Sequence, residues 1–251
     1  QGFNTEEMMH TVIMGPPGCG KTTVAKILCK IYCELGFLRK GTFRTVGRSD
    51  LIGQYLGETA IKTKKVLSQA EGGVLFIDEA YSLGNPEGRD SYSKECIDTL
   101  NQYLSEHTRN FVCIIAGYEH SLEKCFFSVN EGLNRRFPWK YTIDKYDSEE
   151  LHTILKYQNN QNSNKNKWSF EKDTDKFIKE LLEKNHEAFS NNGGDTQIYL
   201  DKCRIVHARR VFSLNDEEKR ILTKEDMENG MELFKYTKKI KEEKIPFGIY
   251  T

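Results

Sequence analysis

Apolar positions in the first 144 residues follow two rhythms. Thr11–Met14, Val74–Ile77 and Phe111–Ala116 are short, nearly uninterrupted apolar runs, the pattern of strands buried on both faces. Phe43–Val46 alternates, and Lys140–Ile143 has the mixed character of an edge strand. Between these runs the spacing lengthens. Thr22–Leu35 carries Val24, Ile27, Leu28 and Ile31 at the i, i+3, i+4, i+7 positions of a helix and is closed by Gly36. Thr59–Ala70 reads as a second helix, ended by Gly72-Gly73. Tyr92–His107 reads as a third through Cys96, Ile97, Leu100, Tyr103 and Leu104, and the polar stretch Gly84–Asp90 is a loop. Strands alternating with helices of this length predict an α/β domain over residues 1–144, a mostly parallel sheet covered on both faces.

From Asp147 onward the strand signal disappears. Ser148–Tyr157, Asp173–Phe189, Asp195–Phe212 and Thr223–Tyr236 are spaced as helices, the last opening with Thr223-x-x-Asp226, a variant of the capping box. Asn159–Trp168 is too polar to pack and reads as a solvated insertion. Residues 145–251 are therefore expected to form a small helical domain, trailing into a charged stretch and an apolar end, IPFGIYT.

Two segments of the first domain need each other chemically. Gly15–Thr22 reads GPPGCGKT and fits G-x-x-x-x-G-K-[ST], a loop whose backbone N–H groups wrap a polyphosphate. Gly15, Pro16, Pro17, Gly18, Cys19, Gly20, Lys21, Thr22 and Thr23 are thus the candidate nucleotide-binding residues. Lys21 would reach the β- and γ-phosphates and the Thr22 hydroxyl would meet Mg²⁺. Val74–Ala80 reads VLFIDEA, a buried strand ending in two carboxylates, Asp78 for the metal and Glu79 for the attacking water. The pair of segments points to hydrolysis of ATP with Mg²⁺.

Composition narrows the partners. Lys+Arg and Asp+Glu both total 37, so the chain lacks the basic excess of a general nucleic-acid binder. The 7 cysteines are odd in number and scattered; Cys29 and Cys33 sit one helical turn apart, with no second Cys/His pair at zinc spacing, and read as reduced thiols of an intracellular protein. No apolar run approaches the ~18–20 residues of a membrane span, and no signal peptide is visible. A soluble, intracellular protein is the expectation. The chain begins a few residues before its first strand, so further residues are expected upstream.

The match extends beyond the generic nucleotide signature. Arg48–Leu67 (RSDLIGQYLGETAIKTKKVL), Gly72–Leu83 (GGVLFIDEAYSL), Ile114–Tyr118 (IIAGY) and Asn130–Phe137 (NEGLNRRF) together resemble the AAA+ ATPases of the CbxX/CfqX group, which includes rubisco-activase-type remodelling motors. The helical half is similar only in outline, mainly through Leu222–Met227 (LTKEDM). The resemblance implies a ring, usually hexameric, with ATP between subunits and pore loops that pull on a protein client. It makes Arg136, with its neighbour Arg135, the arginine finger acting on the adjacent subunit's ATP. It makes Tyr55-Leu56-Gly57 the pore loop, with Arg89 and Asp90 candidates for a second one. Two positions depart from the pattern: Tyr118 stands where many AAA+ proteins carry a water-positioning Asn, and Thr196 where family members carry a γ-phosphate arginine. Either another basic residue, Arg204 or His207, substitutes for the latter, or lid closure is weakly coupled to nucleotide. The leading function is a protein-remodelling ATPase; the alternative is a nucleotide-gated scaffold with weak turnover. A DNA-loading role is disfavoured by the zero net charge and the aromatic loop.

Overall fold

The computed structural model describes residues 8–55, 57–85, 90–107, 111–161, 168–211 and 220–243. They form two compact units, one of residues 1–16 with 20–144 and one of 17–19 with 145–251.

The first unit is built on five strands: β1 (Thr11–Met14), β2 (Phe43–Val46), β3 (Val74–Ile77), β4 (Val112–Gly117) and β5 (Trp139–Thr142). All pair in parallel, in the order β2-β3-β4-β1-β5. Neighbouring residues on each strand go to opposite faces. Val12, Leu75, Ile77, Cys113 and Ile115 join one core cluster, whereas Ile13, Val74, Phe76, Val112 and Ile114 join another. Both faces are covered, which is why these strands read as continuous apolar runs. The helices are α1 (Lys21–Glu34), α2 (Arg48–Leu51), α3 (Glu58–Gln69), α4 (Ser91–Glu106), α5 (Glu119–Cys125) and α6 (Leu133–Arg136). Strand β5 is an edge whose four residues are exposed.

The helix α1 forms as its spacing predicts, but its apolar stripe faces the core only in part: Val24 and Leu28 pack against it, Ile27 is 52% and Ile31 42% exposed, and Ala25, Cys29 and Tyr32 are buried. The azimuth of this helix is set at its start, where it leaves the loop from a left-handed Gly20 at φ 85°. The small side chains Ala25 and Cys29 then let it lie close to the sheet.

The second unit contains α7 (Ser148–Asn160), α8 (Asp175–Lys184), α9 (Asn192–Arg210) and α10 (Lys224–Glu243) around a core of Leu151, Leu155, Ile178, Leu182, Tyr199 and Phe234. The capping box forms: the Asp226 amide donates to Thr223 Oγ1 at 3.3 Å and the Thr223 amide to Asp226 Oδ2 at 3.0 Å. Contrary to the purely helical reading, this unit also holds a parallel strand pair, β6 (Ser169–Phe170) with β7 (Ile221–Leu222). Two residues are too few for periodicity to register. The polar insertion is also partly structural. Asn159 is buried and its Nδ2 donates to the Trp168 carbonyl at 3.2 Å, and Trp168 packs on the helical core; residues 162–167 lie outside the described residues, as does the IPFGIYT end. Pro17–Cys19 belong to this unit through the Asn192 Nδ2 donation to Pro17 O (3.1 Å), Gly193 N to Gly18 O (3.1 Å) and Tyr146 Oη to Cys19 O (2.6 Å). No helix among the described residues is long and apolar enough to cross a membrane.

Candidate functional site

The sheet order puts the carboxyl ends of β3, β4 and β1 side by side, the place where open α/β sheets bind ligands. Met14 of β1 is in register with Gly117 of β4, and Ile77 of β3 with Ile115. The chain leaves β1 as Gly15, whose amide donates to the Gly117 carbonyl at 3.2 Å, and runs through Pro16 to Gly20 into α1. Gly20 at φ 85° occupies a backbone region that costs an L side chain about 1–2 kcal/mol. This turn lets α1 begin at Lys21 with its amide-bearing end toward the loop, the arrangement that binds phosphate. Within the loop Cys19 is buried, Pro16 and Pro17 are half-buried and Gly18 is exposed. Lys21 Nζ donates to Gly15 O at 2.9 Å and Pro16 O at 2.8 Å, keeping its cation at the loop. Thr22 is half-buried and Thr23 exposed in the first helical turn.

Across β4, β3 delivers Asp78 and Glu79. Asp78 is half-buried and its Oδ1 accepts the Glu79 amide at 3.0 Å. Glu79 is exposed and left-handed, φ 49° and ψ 45°, at the head of a 3-10 turn over Ala80–Leu83. For a residue that is not glycine this is a strained conformation; the Ser82 amide holds it by donating to the Glu79 carbonyl at 2.8 Å. The Thr22 hydroxyl and the Asp78 carboxylate are hard oxygen donors of the kind Mg²⁺ takes. Together with an N-terminal helix turn and a lysine, they fit a metal-bound nucleoside triphosphate.

Two aromatic residues join this group, and spacing did not single out the first of them. The Tyr81 pKa is pushed up to about 12, by burial first and then by the charge of nearby Glu79. The Tyr81 and Tyr118 rings lie 5.7 Å apart, and Lys21 Nζ lies 5.5 Å from the Tyr118 ring. The only hint in the sequence was Tyr81's place two residues beyond the Asp-Glu pair.

The remaining candidates are spread over the unit. Tyr55 is 68% exposed, its amide donating to Glu58 Oε2 at 3.3 Å; it is not the packed lid of a core. Gly57 follows at φ 84° and caps α3, while Leu56 and Arg89 lie outside the described residues. Asp90 is not a bare loop residue. It caps α4 by accepting the Tyr92 and Ser93 amides at 3.1 and 3.2 Å, and it pairs with Arg48 at 2.6 Å. Arg48 also donates to Ser82 O and Ser93 Oγ, which ties α2, the turn after Glu79 and α4 together. At the end of α6, Arg135 is exposed; Arg136 is half-buried, its Nε without a hydrogen-bond partner among the described residues.

Residues 11–144 match the family model described as "ATPase family associated with various cellular activities". A cfxQ-like protein of Acanthamoeba polyphaga mimivirus is 38% identical over 237 residues, covering 94% of this chain and 57% of that protein. A CfxQ homologue of Pyropia yezoensis is 37% identical over 220 residues, 87% of this chain and 71% of its own length. The chain belongs to the AAA family of ATPases, in its CfxQ-type branch. Within that branch the chloroplastic ribulose bisphosphate carboxylase/oxygenase activase of Cyanidioschyzon merolae is 37% identical over 219 residues, 87% of this chain and 72% of the activase. The FIGL-1 AAA domain, solved in complex with ADP, superposes with a TM-score of 0.60 at 19% identity over 90% of this chain and 71% of that one, a likeness of fold. The chain thus spans little more than half the length of the mimivirus relative.

In the helical unit the residues considered for the arginine position, Thr196, Arg204 and His207, are engaged with neighbours inside the unit. Thr196 is buried, its hydroxyl donating to Gln158 Oε1 at 2.8 Å and Gly193 O at 2.9 Å. Arg204 is taken up by Asp201 at 3.1 Å and by the Trp168 ring at 5.5 Å. His207 is buried, its Nδ1 2.9 Å from Asp226 Oδ2.

Proposed function

We propose that this chain is the ATP-hydrolysing motor of a protein-remodelling machine. The observation that carries this reading is the meeting, at three adjacent strand ends, of a phosphate loop with its lysine and of two carboxylates beyond it. Lys21 and the backbone N–H groups of Gly18, Cys19 and Gly20 would hold the β- and γ-phosphates; Thr22 and Asp78 would hold Mg²⁺, whose charge would offset that of the phosphate oxygens. Glu79 orients a water and takes its proton. Arg136 or its neighbour Arg135 reaches the nucleotide of an adjacent subunit in a ring, usually a hexamer in this family, and Tyr55 grips the client in the central pore. The bare Tyr55 ring supports the last role, since an aromatic at a loop tip gives large, sequence-tolerant contact. A relative named as an activase of an enzyme supports a protein client.

Lys21→Ala should abolish nucleotide binding. Glu79→Gln should bind ATP with Mg²⁺ and fail to turn it over. Losing a general base costs about 10²–10⁴-fold, so retention of more than about a tenth of the rate would refute the assignment. The same Glu79→Gln protein, crosslinked in lysate, should retain the client for identification. A nucleotide-gated scaffold is the second reading, favoured by Thr196 and by the internal engagement of Arg204 and His207. Turnover that does not respond to any captured client would support it.

A further inference from the structure

The phosphate loop is held from its carbonyl side. Pro17, Gly18 and Cys19 are consecutive, and each offers its carbonyl to a different donor: Asn192 Nδ2 to Pro17 O at 3.1 Å, the Gly193 amide to Gly18 O at 3.1 Å, and Tyr146 Oη to Cys19 O at 2.6 Å. All of these residues lie in one compact unit. The donors are themselves fixed. Asn192 is buried and left-handed at φ 49°, and its Oδ1 accepts the Tyr146 amide at 3.1 Å, so one side chain serves both Pro17 and Tyr146. His186 Nε2 lies 2.9 Å from the Tyr146 carbonyl. The Gly193 carbonyl accepts from Gln158 Nε2 at 2.8 Å and lies 2.9 Å from the Thr196 hydroxyl. Thr196, in the place of the expected arginine, thus helps to fix the residue that holds Gly18. The approach is close enough to demand glycine: a Cβ on Gly18 would stand 1.9 Å from the Asn191 carbonyl oxygen.

The peptide bonds of the loop are trans, so each C=O points opposite to the N–H of the same peptide unit. The carbonyls of Pro17, Gly18 and Cys19 share their units with the amides of Gly18, Cys19 and Gly20. Holding the three carbonyls on one side therefore aims the three amides at the other. We propose that Tyr146, Asn192 and the Gly193 amide form a clasp that positions these amides for the β- and γ-phosphates, so that α9 meets a bound nucleotide through loop carbonyls and not through an arginine at position 196. The proposal rests on Gly15–Thr22 being the phosphate loop. A donor on a carbonyl also polarises its peptide unit, and hydrogen bonds in a chain strengthen one another. Phosphate on the amides and the clasp on the carbonyls thus reinforce each other, and by linkage the effect is reciprocal.

The test uses the full chain and reads the displacement of fluorescently labelled ADP by ADP with Mg²⁺ and by tripolyphosphate with Mg²⁺, which has neither base nor ribose. Tyr146→Phe keeps the ring and removes only the donor to Cys19. Asn192→Asp keeps the shape and the acceptor for the Tyr146 amide, and sets an oxygen against the Pro17 carbonyl. Each should raise both dissociation constants about 10-fold, equivalent to ~1.4 kcal/mol. Tyr146→Phe should move the nucleotide-free melting midpoint by no more than the about 2–4 °C of a single hydrogen bond. Unchanged constants in Tyr146→Phe overturn the proposal. So does a weaker hold on ADP with the tripolyphosphate constant at its wild-type value, which would place the effect at the base or ribose. Should Asn192→Asp not fold, Tyr146→Phe alone decides. Failure of the phosphate-loop reading is distinct: Lys21→Ala would then leave both constants unchanged.

Discussion

Replacing Asp90 by Asn isolates one charge in a place where three elements meet. Asn caps a helix as well as Asp does, so the two α4 amides keep their acceptor, while the oxygen that accepts from Arg48 and the Ser93 hydroxyl becomes an amide NH2 and the ion pair is lost. The Ser93 hydroxyl, opposed by burial and aided by Arg48, holds the Asp90 carboxyl at about 2, against an ordinary value of 3.8. At full strength that difference is worth ~2.4 kcal/mol. The Asp90 side chain is 22% and its Arg48 partner 40% exposed, so water screens part of it, leaving about 1–2 kcal/mol. For a chain of this size, Asp90→Asn should lower the melting midpoint by about 2–8 °C at pH 7. The folded-state value is depressed, so the stabilisation is present above 3.8 and disappears as pH falls through about 2. The gap between wild type and variant in urea denaturation should be level from pH 7 to about 5, roughly halved at pH 3 and largely gone by pH 2. Equal midpoints at pH 7, or a gap that widens toward acid, would refute the reasoning.

Truncating Tyr55 should leave folding alone: at its exposure, Tyr55→Ala is expected to move stability by less than about 0.5 kcal/mol while removing client remodelling, whereas a midpoint fall equivalent to the ~3–5 kcal/mol of a buried aromatic would contradict the pore role. Asp226→Ala strands the buried His207 and the Arg210 guanidinium, which donates to Asp226 at 2.8 Å, and should cost about 3–5 kcal/mol in denaturant melts; a cost under about 1 kcal/mol would mean that solvent replaces the carboxylate. Mixing Arg136→Ala with Lys21→Ala subunits should restore turnover, because some interfaces then pair an intact finger with an intact loop. No recovery at any ratio, with mixed rings confirmed by mass, would place the finger elsewhere.

What the sequence made legible follows from how locally each feature is encoded. The β1 and β3 runs are apolar because both faces of the sheet are covered, and their limits could be read directly. The phosphate loop and Asp78-Glu79 are contiguous in sequence, so residue identity alone exposed them. The buried face of α1 was legible only in part: of the four stripe residues Val24 and Leu28 pack on the core, whereas Ile27 and Ile31 are exposed and Ala25, Cys29 and Tyr32 turn inward. Asp90 looked like a free acidic loop residue because its partner Arg48 lies 42 positions away.

Strand β4 holds none of the residues proposed for phosphate or metal, yet it acts as the spacer bar of the candidate site. Lying between β1 and β3, it holds the lysine loop and the carboxylate turn two strand spacings apart, about 9.5 Å, a width that neither neighbour can adjust alone. A side chain swap on the loop or the turn changes what is held across that gap, whereas slipping β4 by one residue would exchange its two faces and shift Gly117 and Tyr118 off the crossing point at once. Tolerance to substitution should therefore be lowest in a strand that supplies none of the proposed ligands.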